Sequence, residues 1–311
     1  MQLRAFTEPQ LGASFDEQLA LACTAEEHGY DAFFRSDHLL TFAGEGLPGP
    51  TESWMTLAAI GRETQRIRLG TLVTSITFRH PGMLAIAVAQ ADAMSGGRVE
   101  LGIGAGWFEQ EHKAYAVPFP PLGTRFQQLE EQLEILTRFW TAPPGDRVAF
   151  EGSEYTVDQS PALPKPVQQP HPPIIIGGGG PSRTPRLAAR YADEFNVPPT
   201  GHSPEQAKEM IDRVKGACEA IDRDPNSLVY SAAMAVCCGT SEAEAAQRAA
   251  RIGRPLDQLR GDAAAGTVEE VAARLRSYDE IGVSRVYLQF LDIADLDHVA
   301  LVGSEVGPLV G

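Results

Sequence analysis

The chain has few cysteines and no recognisable metal-binding pattern. Its four cysteines, at positions 23, 218, 237 and 238, form no C-x-x-C pair, and its seven histidines lack the spacing of zinc ligands. Cys237 and Cys238 are adjacent and would point to opposite faces of a strand, so we expect no disulfide between them. The sequence therefore predicts neither a metal centre nor a disulfide framework.

Basic residues are also scarce. The chain has 26 lysines and arginines against 41 aspartates and glutamates, a net charge of −15, which argues against nucleic acid or an anionic membrane as a partner. It has no run of about 18 apolar residues that would span a bilayer. It opens with strand-like residues, Leu3–Phe6, rather than a charged leader followed by an apolar block. We expect a cytoplasmic protein without a signal peptide.

Apolar strand patterns alternate with helical patterns along the chain. This alternation predicts a parallel α/β fold, and the number of strands favours a (β/α)8 TIM-type barrel with insertion segments over a doubly wound sheet. The predicted strands are Leu3–Phe6, Ala32–Arg35, Arg68–Ser75, Val99–Ile103, Pro173–Ile176, Glu194–Val197, Leu228–Val236 and Arg285–Phe290.

Helix starts are marked by Ser or Thr followed three residues later by Glu, the spacing of a capping box. The pairs are Ser14/Glu17, Ser241/Glu244 and Thr267/Glu270, and Ser203-Pro204 is a further helix start. We expect residues 1–311 to form a single domain with an insertion at about 141–173. In this proline-rich insertion, Val148–Phe150 and Tyr155–Val157 predict a hairpin, followed by an extended arm at the edge of the site. For Pro161–Pro173, a disordered surface loop is an equal alternative.

The first candidate site follows the second predicted strand. Phe33 and Phe34 are followed by Arg35, Ser36, Asp37 and His38. A parallel barrel presents its reactive groups at the carboxyl ends of its strands, so an acid–imidazole pair at this point is a candidate for catalysis. The alternative is that His38 makes a simple loop hydrogen bond.

Two glycine-rich stretches follow later strands. Gly102, Gly104 and Gly106 alternate, which lets the backbone approach a flat ligand or another chain segment closely, and their spacing does not match a dinucleotide-binding fingerprint. Trp107 is either a lid over the cleft or a packing residue. Gly177–Gly180 directly follow an apolar strand, and successive glycine N–H groups at a helix start can bind an anion.

We expect Arg183 and Arg186 to supplement this predicted anion site. Backbone N–H groups need no large net positive charge, so such a site reconciles an acidic protein with an anionic ligand. The alternative for the four glycines is a flexible turn.

Taken together, these segments resemble the luciferase-like monooxygenase superfamily, and most closely its branch of coenzyme F420-dependent oxidoreductases. The resemblance covers nearly the whole chain. It rests on Ser36–His38, Leu69–Thr74 with Arg79-His80-Pro81, Gly102–Trp107 with Glu111-His112, Gly177–Gly180, Gly266–Val271 and Val286–Gln289.

The resemblance implies a TIM-type barrel, commonly a homodimer, with the deazaflavin F420 at the carboxyl-end mouth of the strands. It also implies a cis peptide bond between Leu72 and Val73. The implied cofactor-binding residues are Leu72, Val73, Thr74, Ala105, Gly106, Gly177, Gly178 and Gly179, with Asp37 as a further polar contact.

The same resemblance gives His38 the role of proton donor or acceptor, with Asp37 orienting it or stabilising its cation. Trp107 and Phe42 would form walls of the substrate pocket. The sugar-phosphate dehydrogenase members of the superfamily have a glutamate where this chain has Trp107, and a tryptophan for which Phe42 is the nearest aromatic here. We therefore do not expect this chain to share their sugar-phosphate substrate.

The predicted function is hydride transfer between F420 and an unknown small organic molecule. The alternative is an FMN-dependent luciferase-like monooxygenase that uses reduced flavin and oxygen. A third hypothesis is a cofactor-binding protein without catalytic activity.

Overall fold

The computed structural model describes residues 1–199 and 201–311. In these two ranges the strands are β1 Gln2–Thr7, β2 Ala32–Arg35, β3 Arg68–Ser75, β4 Val99–Gly104, β5 Val148–Glu151, β6 Thr156–Ser160, β7 Ile174–Gly177, β8 Glu194–Val197, β9 Val229–Gly239, β10 Ala264–Thr267 and β11 Arg285–Gln289. The α-helices are α1 Phe15–Glu27, α2 Ser53–Glu63, α3 Pro81–Ser95, α4 Glu109–Ala114, α5 Leu122–Thr141, α6 Arg183–Tyr191, α7 Pro204–Glu219, α8 Glu242–Arg251, α9 Leu256–Asp262, α10 Val268–Asp279, α11 Leu296–Leu301 and α12 Gly307–Val310.

Eight of these strands form a closed parallel barrel. Their order is β1, β2, β3, β4, β7, β8, β9 and β11, and β11 pairs back onto β1. The predicted TIM-type barrel is confirmed, and the predicted strands differ from the observed ones only at their ends. One strand, β10, was not predicted: it pairs in parallel with the last residues of β9. Its residues, Ala-Ala-Gly-Thr, carry no strand signal of their own.

Three of the four predicted helix starts have full capping boxes, at Ser14, Ser203 and Thr267. The expected box at Ser241 is incomplete. Ser241 accepts a hydrogen bond from the backbone N–H of Glu244, but the Glu244 carboxylate accepts bonds from Thr240 instead. Among the described residues, no helix combines the length and the apolar composition that crossing a bilayer requires.

The segment between α5 and β7 contains the predicted hairpin, β5 and β6. The expectation that this segment edges the site is wrong, because none of its residues lines the cavity described below. The Glu131 carboxylate of α5 accepts N–H bonds from residues 153, 154 and 155, which holds the hairpin on that helix. Gln168 bonds to Asp92 and to the carbonyl of Val99, at the amino end of β4 and far from the barrel mouth.

Charged residues fill the interior of the barrel near its amino end. Arg4 of β1 donates hydrogen bonds to Glu100 of β4 (2.5 Å) and to the Tyr287 hydroxyl of β11 (2.9 Å), and Tyr287 donates to Glu194 of β8 (2.6 Å). All four side chains are almost fully buried. Because they come from four strands, their contacts tie opposite sides of the barrel together and close its floor.

We expect Arg4→Met to destabilise the protein by about 1–3 kcal/mol, because Glu100 and Glu194 lose the cation between them and keep only one arginine each, Arg68 and Arg285. Urea unfolding measures the change. The matched control is Arg213→Met, since Arg213 is exposed and pairs with Glu209 at 3.4 Å on the surface of α7; its cost should stay within about 0.5 kcal/mol. Equal losses in the two variants would contradict a structural role for the buried cluster.

Candidate functional site

A cavity of about 680 Å³ opens at the carboxyl ends of the barrel strands. This volume is in the range of cavities that bind small molecules and cofactors. Of the predicted site residues, those that line it are Asp37, His38, Phe42, Leu72, Val73, Ala105, Gly106, Trp107, Gly177, Gly178 and Gly179. The barrel therefore brings together groups that are far apart in the sequence.

His38 is held by a carboxylate. Its Nδ1 lies 3.1 Å from both oxygens of Glu111, which also accepts the backbone N–H of Leu39 at 2.9 Å. A carboxylate only accepts hydrogen bonds, so Nδ1 carries the proton. Within the described residues Nε2 has no hydrogen-bond partner, and His38 lines the cavity, so Nε2 is the nitrogen available to a ligand.

The environment of His38 raises its pKa. Burial lowers the pKa, but the hydrogen bond and the charge of Glu111 outweigh that effect, and Glu8 and Asp37 add to the rise. His38 therefore keeps its proton to higher pH than a free imidazole does. Since folding raises this pKa, the pair stabilises the protein fully below the unfolded value of about 6.5. That stabilisation is lost as the pH rises through the folded value.

Asp37 has a different partner from the one that we expected. Its carboxylate bonds to Arg79 through both oxygens, at 2.5 and 3.1 Å, and Arg79 also bonds to Glu52. Asp37 therefore acts on His38 only through its charge and does not orient the ring, which Glu111 holds. Asp37 and His38 are adjacent, yet Asp37 contacts Arg79 just before α3, whereas His38 contacts Glu111 in α4.

Strand β3 has a bulge where it reaches the cavity. Its register with β4 shifts between Thr71 and Thr74, and the Leu72–Val73 peptide bond is cis, as the resemblance implied. Leu72 and Val73 line the cavity. Thr74 does not: its hydroxyl donates to Thr71 and its side chain is fully buried, and its expected contact with a cofactor stays a prediction.

The alternating glycines of β4 make room for this bulge. A Cβ atom on Gly102 would lie 2.0 Å from the carbonyl oxygen of Thr71, and one on Gly104 would lie 3.0 Å from Val73. Close approach of another chain segment, one of the two predicted reasons for these glycines, therefore explains both. Gly106 adopts a positive φ of 75°, and a Cβ there would meet the Ser75 hydroxyl.

Gly177 ends β7, Gly178–Gly180 follow it before α6, and all four glycines line the cavity. Gly178 has a φ of 133°, which favours glycine. The expected help from Arg183 and Arg186 is absent: Arg183 donates to the carbonyl of Gly123, Arg186 is exposed, and neither lines the cavity. An anion in this loop would therefore depend on backbone N–H groups and on the positive end of the α6 dipole.

Three aromatic rings surround His38 at the mouth of the cavity. The ring of Phe42 lies 5.4 Å from the imidazole, that of Trp107 5.5 Å and that of Phe108 6.1 Å. Trp107 stacks on Phe108 and is 66% exposed. Trp107 therefore covers the cleft, one of its two predicted roles, and is not a core packing residue.

Sequence reasoning assigned no site role to four polar residues that line the cavity, Glu8, Glu111, Asn196 and Gln289, although Glu111 and Gln289 lie in segments that carry the resemblance. Gln289 donates to Glu8 at 3.0 Å, and Asn196 donates to Ser231 at 2.9 Å. Three of the four lie at or just after the end of a barrel strand. That position was itself a usable signal, since barrel enzymes draw their site residues from these ends.

Replacing Glu111 by Gln should lower the pKa of His38, because burial remains while the opposing negative charge is lost. An NMR titration of the imidazole measures this pKa directly. The matched control is Glu109→Gln, which removes the same charge two residues away from an exposed side chain paired with Lys113. A His38 pKa that is unchanged in Glu111→Gln, or equally lowered in both variants, would contradict the assigned contact.

Comparison with known proteins connects this geometry to a family. Residues 1–257 match the family model described as luciferase-like monooxygenase. Proteins named F420-dependent glucose-6-phosphate dehydrogenase are similar to the chain: that of Nakamurella multipartita is 40% identical over 196 residues, 63% of this chain and 55% of that protein. That of Microbacterium testaceum is 37% identical over 198 residues, 63% of this chain and 56% of that protein. The chain thus spans about half the length of the curated relatives it matches.

Solved structures share the fold over the full chain. An F420-dependent secondary alcohol dehydrogenase, solved with an F420-acetone adduct, aligns with a TM-score of 0.85 at 18% identity, covering 100% of this chain and 99% of that one. The monooxygenase RslO1 from Streptomyces bottropensis aligns with a TM-score of 0.85 at 23% identity and covers 100% of both chains. With the family model matching most of its length, the chain belongs to the luciferase-like monooxygenase family.

Proposed function

We propose that the protein is an F420-dependent oxidoreductase that transfers a hydride between the deazaflavin and a small organic molecule. The observation that carries this proposal is the single cavity shared by the β3 bulge, His38 and the glycine loop. The relatives from Nakamurella and Microbacterium are named as F420-dependent enzymes, which supports F420 as the cofactor. We propose further that residues 1–311 act as one domain.

The residues of the cavity fit such a cofactor. Leu72 and Val73 offer an apolar edge to a planar ring, and Gly177, Gly178 and Gly179 offer N–H groups to an anionic tail. Ala105 and Gly106 line the wall beside the bulge. When bound, the deazaflavin supplies a ring carbon that carries the hydride, so the protein's task is orientation and proton transfer.

His38 is the acid/base of this proposal. Its Nε2 would exchange a proton with the substrate oxygen, while Glu111 fixes the ring and favours the charged form. Asp37, which is paired with Arg79, raises the pKa of His38 further through its negative charge. The pKa is raised, so near neutral pH His38 is better suited to donating a proton than a free imidazole would be.

The rival reading is an FMN-dependent monooxygenase on the same barrel, since RslO1 has this fold and is named a monooxygenase. The two readings predict different cofactors for one cavity. We favour F420 because the two relatives at 40% and 37% identity are named for it. We also propose a cytoplasmic location, which the four free cysteines fit, because thiols persist in a reducing compartment.

Titration of the purified protein with F420, followed by cofactor fluorescence, should show binding at micromolar concentration and weaker binding of FMN. His38→Ala should then keep F420 affinity but lower kcat by about 10²- to 10⁴-fold, the usual contribution of a general acid or base. Tight FMN binding with oxygen uptake would instead support the monooxygenase. Turnover that His38→Ala leaves unchanged would contradict its role, and F420 binding without any turnover would support the carrier hypothesis.

We also propose that the protein forms a homodimer through α3. This helix has Asp92 as its one ionisable residue, and Asp92 is buried. Its outer face exposes Met83 (65%) and Ile86 (39%), and Met55 (75%) is exposed at the start of the neighbouring α2. On a chain with a net charge of −15, an uncharged apolar face is where a second copy approaches with the least repulsion.

Sedimentation should therefore give a dimer at micromolar concentration, and Met83→Glu should shift it towards monomer, because a charge would be buried without a partner. Ile221→Glu is the matched control, since Ile221 is 52% exposed and lies on a different surface, after α7. A monomeric wild type, or a dimer that only the control weakens, would contradict this interface.

A further inference from the structure

We propose that the substrate of this site is a small uncharged alcohol or ketone with an apolar body, and not a sugar phosphate. This inference rests on the proposed function, because it concerns the second ligand of the same cavity. Three observations support it: the aromatic residues Phe42 and Trp107 at the mouth of the cavity, the partners of the cavity's charged side chains, and the Nε2 of His38, which has no hydrogen-bond partner in the described residues.

The aromatic mouth points to an apolar body. Phe42 is 46% exposed and Trp107 is 66% exposed, although both line the cavity beside His38. Large exposed aromatic side chains at a cavity mouth mark a place where a ligand excludes water. Leu122 and Phe126 line the cavity as well, so apolar surface continues on the α5 side.

The charges of the cavity argue against an anionic substrate. Its charged lining residues are Glu8, Asp37, His38 and Glu111, and no lysine or arginine lines it in the ranges 1–199 and 201–311. The nearby Arg79 is already shared between Asp37 and Glu52. A substrate phosphate would therefore face carboxylates without a cation, while the glycine loop serves the tail of the cofactor.

The same pairs argue against a cationic substrate. Asp37 forms an ion pair with Arg79, and the Glu111 carboxylate accepts the ring N–H of His38. Glu8 accepts hydrogen bonds from Gln10 at 2.6 Å and from Gln289 at 3.0 Å. Each carboxylate already has partners within the protein, so a substrate cation would have to compete with them. An uncharged substrate neither faces the carboxylates as an anion would nor competes with their partners as a cation would.

Among the charged side chains that line the cavity, His38 has a ring nitrogen, Nε2, without a hydrogen-bond partner in the described residues, and we assign this nitrogen to the substrate oxygen. In the oxidation of an alcohol, the C–H electron pair leaves as a hydride to the deazaflavin ring carbon, and the O–H proton passes to the unprotonated Nε2 of the neutral His38 ring. The C–O bond becomes a carbonyl, so the alcohol is oxidised and F420 is reduced. In the reverse direction protonated His38 donates the proton to the ketone oxygen. The cavity holds both ligands, which limits the substrate to a small molecule.

Three hydroxyl compounds of different charge test this inference with the full chain and oxidised F420: the secondary alcohols cyclohexanol and β-methylcholine, and glucose 6-phosphate, which would be oxidised at its anomeric (hemiacetal) hydroxyl. The loss of F420 absorbance reports turnover, and the reverse reaction is run with cyclohexanone and reduced F420. We expect kcat/KM for the neutral pair to exceed that of either charged compound by at least about tenfold, since charge mismatch weakens transition-state binding.

Preferred turnover of glucose 6-phosphate or β-methylcholine would overturn the inference, as would F420 binding without turnover of the neutral pair. Failure of F420 to bind at all is a separate result that overturns the proposed function instead. The fluorescence titration is therefore run first on the same sample.

A variant at the mouth tests the same inference independently. Trp107→Arg should raise KM for cyclohexanol and lower KM for the phosphate ester, with F420 affinity unchanged, because it replaces apolar surface with a cation. Trp107 is exposed, so the arginine enters no packed core, and Tyr115→Arg is the matched control. Tyr115 is 47% exposed, follows α4 and does not line the cavity. Equal effects of the two variants, or none from Trp107→Arg, would count against the aromatic mouth as the substrate subsite.

Discussion

The closure of eight parallel strands decides where every functional group of this protein lies. In a parallel barrel all carboxyl ends meet at one rim, so residues far apart in sequence, from Glu8 to Gln289, line one cavity. At the other end, Arg4, Glu100 and Tyr287 fill the interior with paired charges. The ion cluster closes one end of the cylinder, and the glycines and the β3 bulge keep the other end open.

Local patterns in the sequence were enough to predict the barrel, because each strand and helix cap is set by neighbouring residues. The contacts across the site were not predictable in the same way. Asp37 and His38 are adjacent in the chain, yet one pairs with Arg79 and the other with Glu111. Which partner each receives depends on how α3 and α4 pack on the barrel, and no local pattern encodes that. Strand β10 escaped prediction because its pairing with β9, and not its composition, makes it a strand.

An acidic protein that binds an anionic cofactor would be a contradiction if binding needed a basic pocket. Here the candidate anion site consists of the backbone N–H groups of Gly177–Gly180 at the start of α6, with no arginine lining it among the described residues. Elsewhere in the cavity Glu111 is paired with His38 and Asp37 with Arg79, and Glu8 accepts hydrogen bonds from two glutamines. To a substrate the cavity offers apolar surface and the Nε2 of His38.

The central claim is that one rim of the barrel holds the ring of F420 against the β3 bulge while the glycine loop binds its anionic tail. A crystal structure of the protein with F420 tests it most directly. The account predicts the ring beside Leu72 and Val73, within reach of His38 Nε2, and the phosphate against the N–H groups of Gly177, Gly178 and Gly179. A phosphate bound to side chains elsewhere, or a ring outside this cavity, would contradict it.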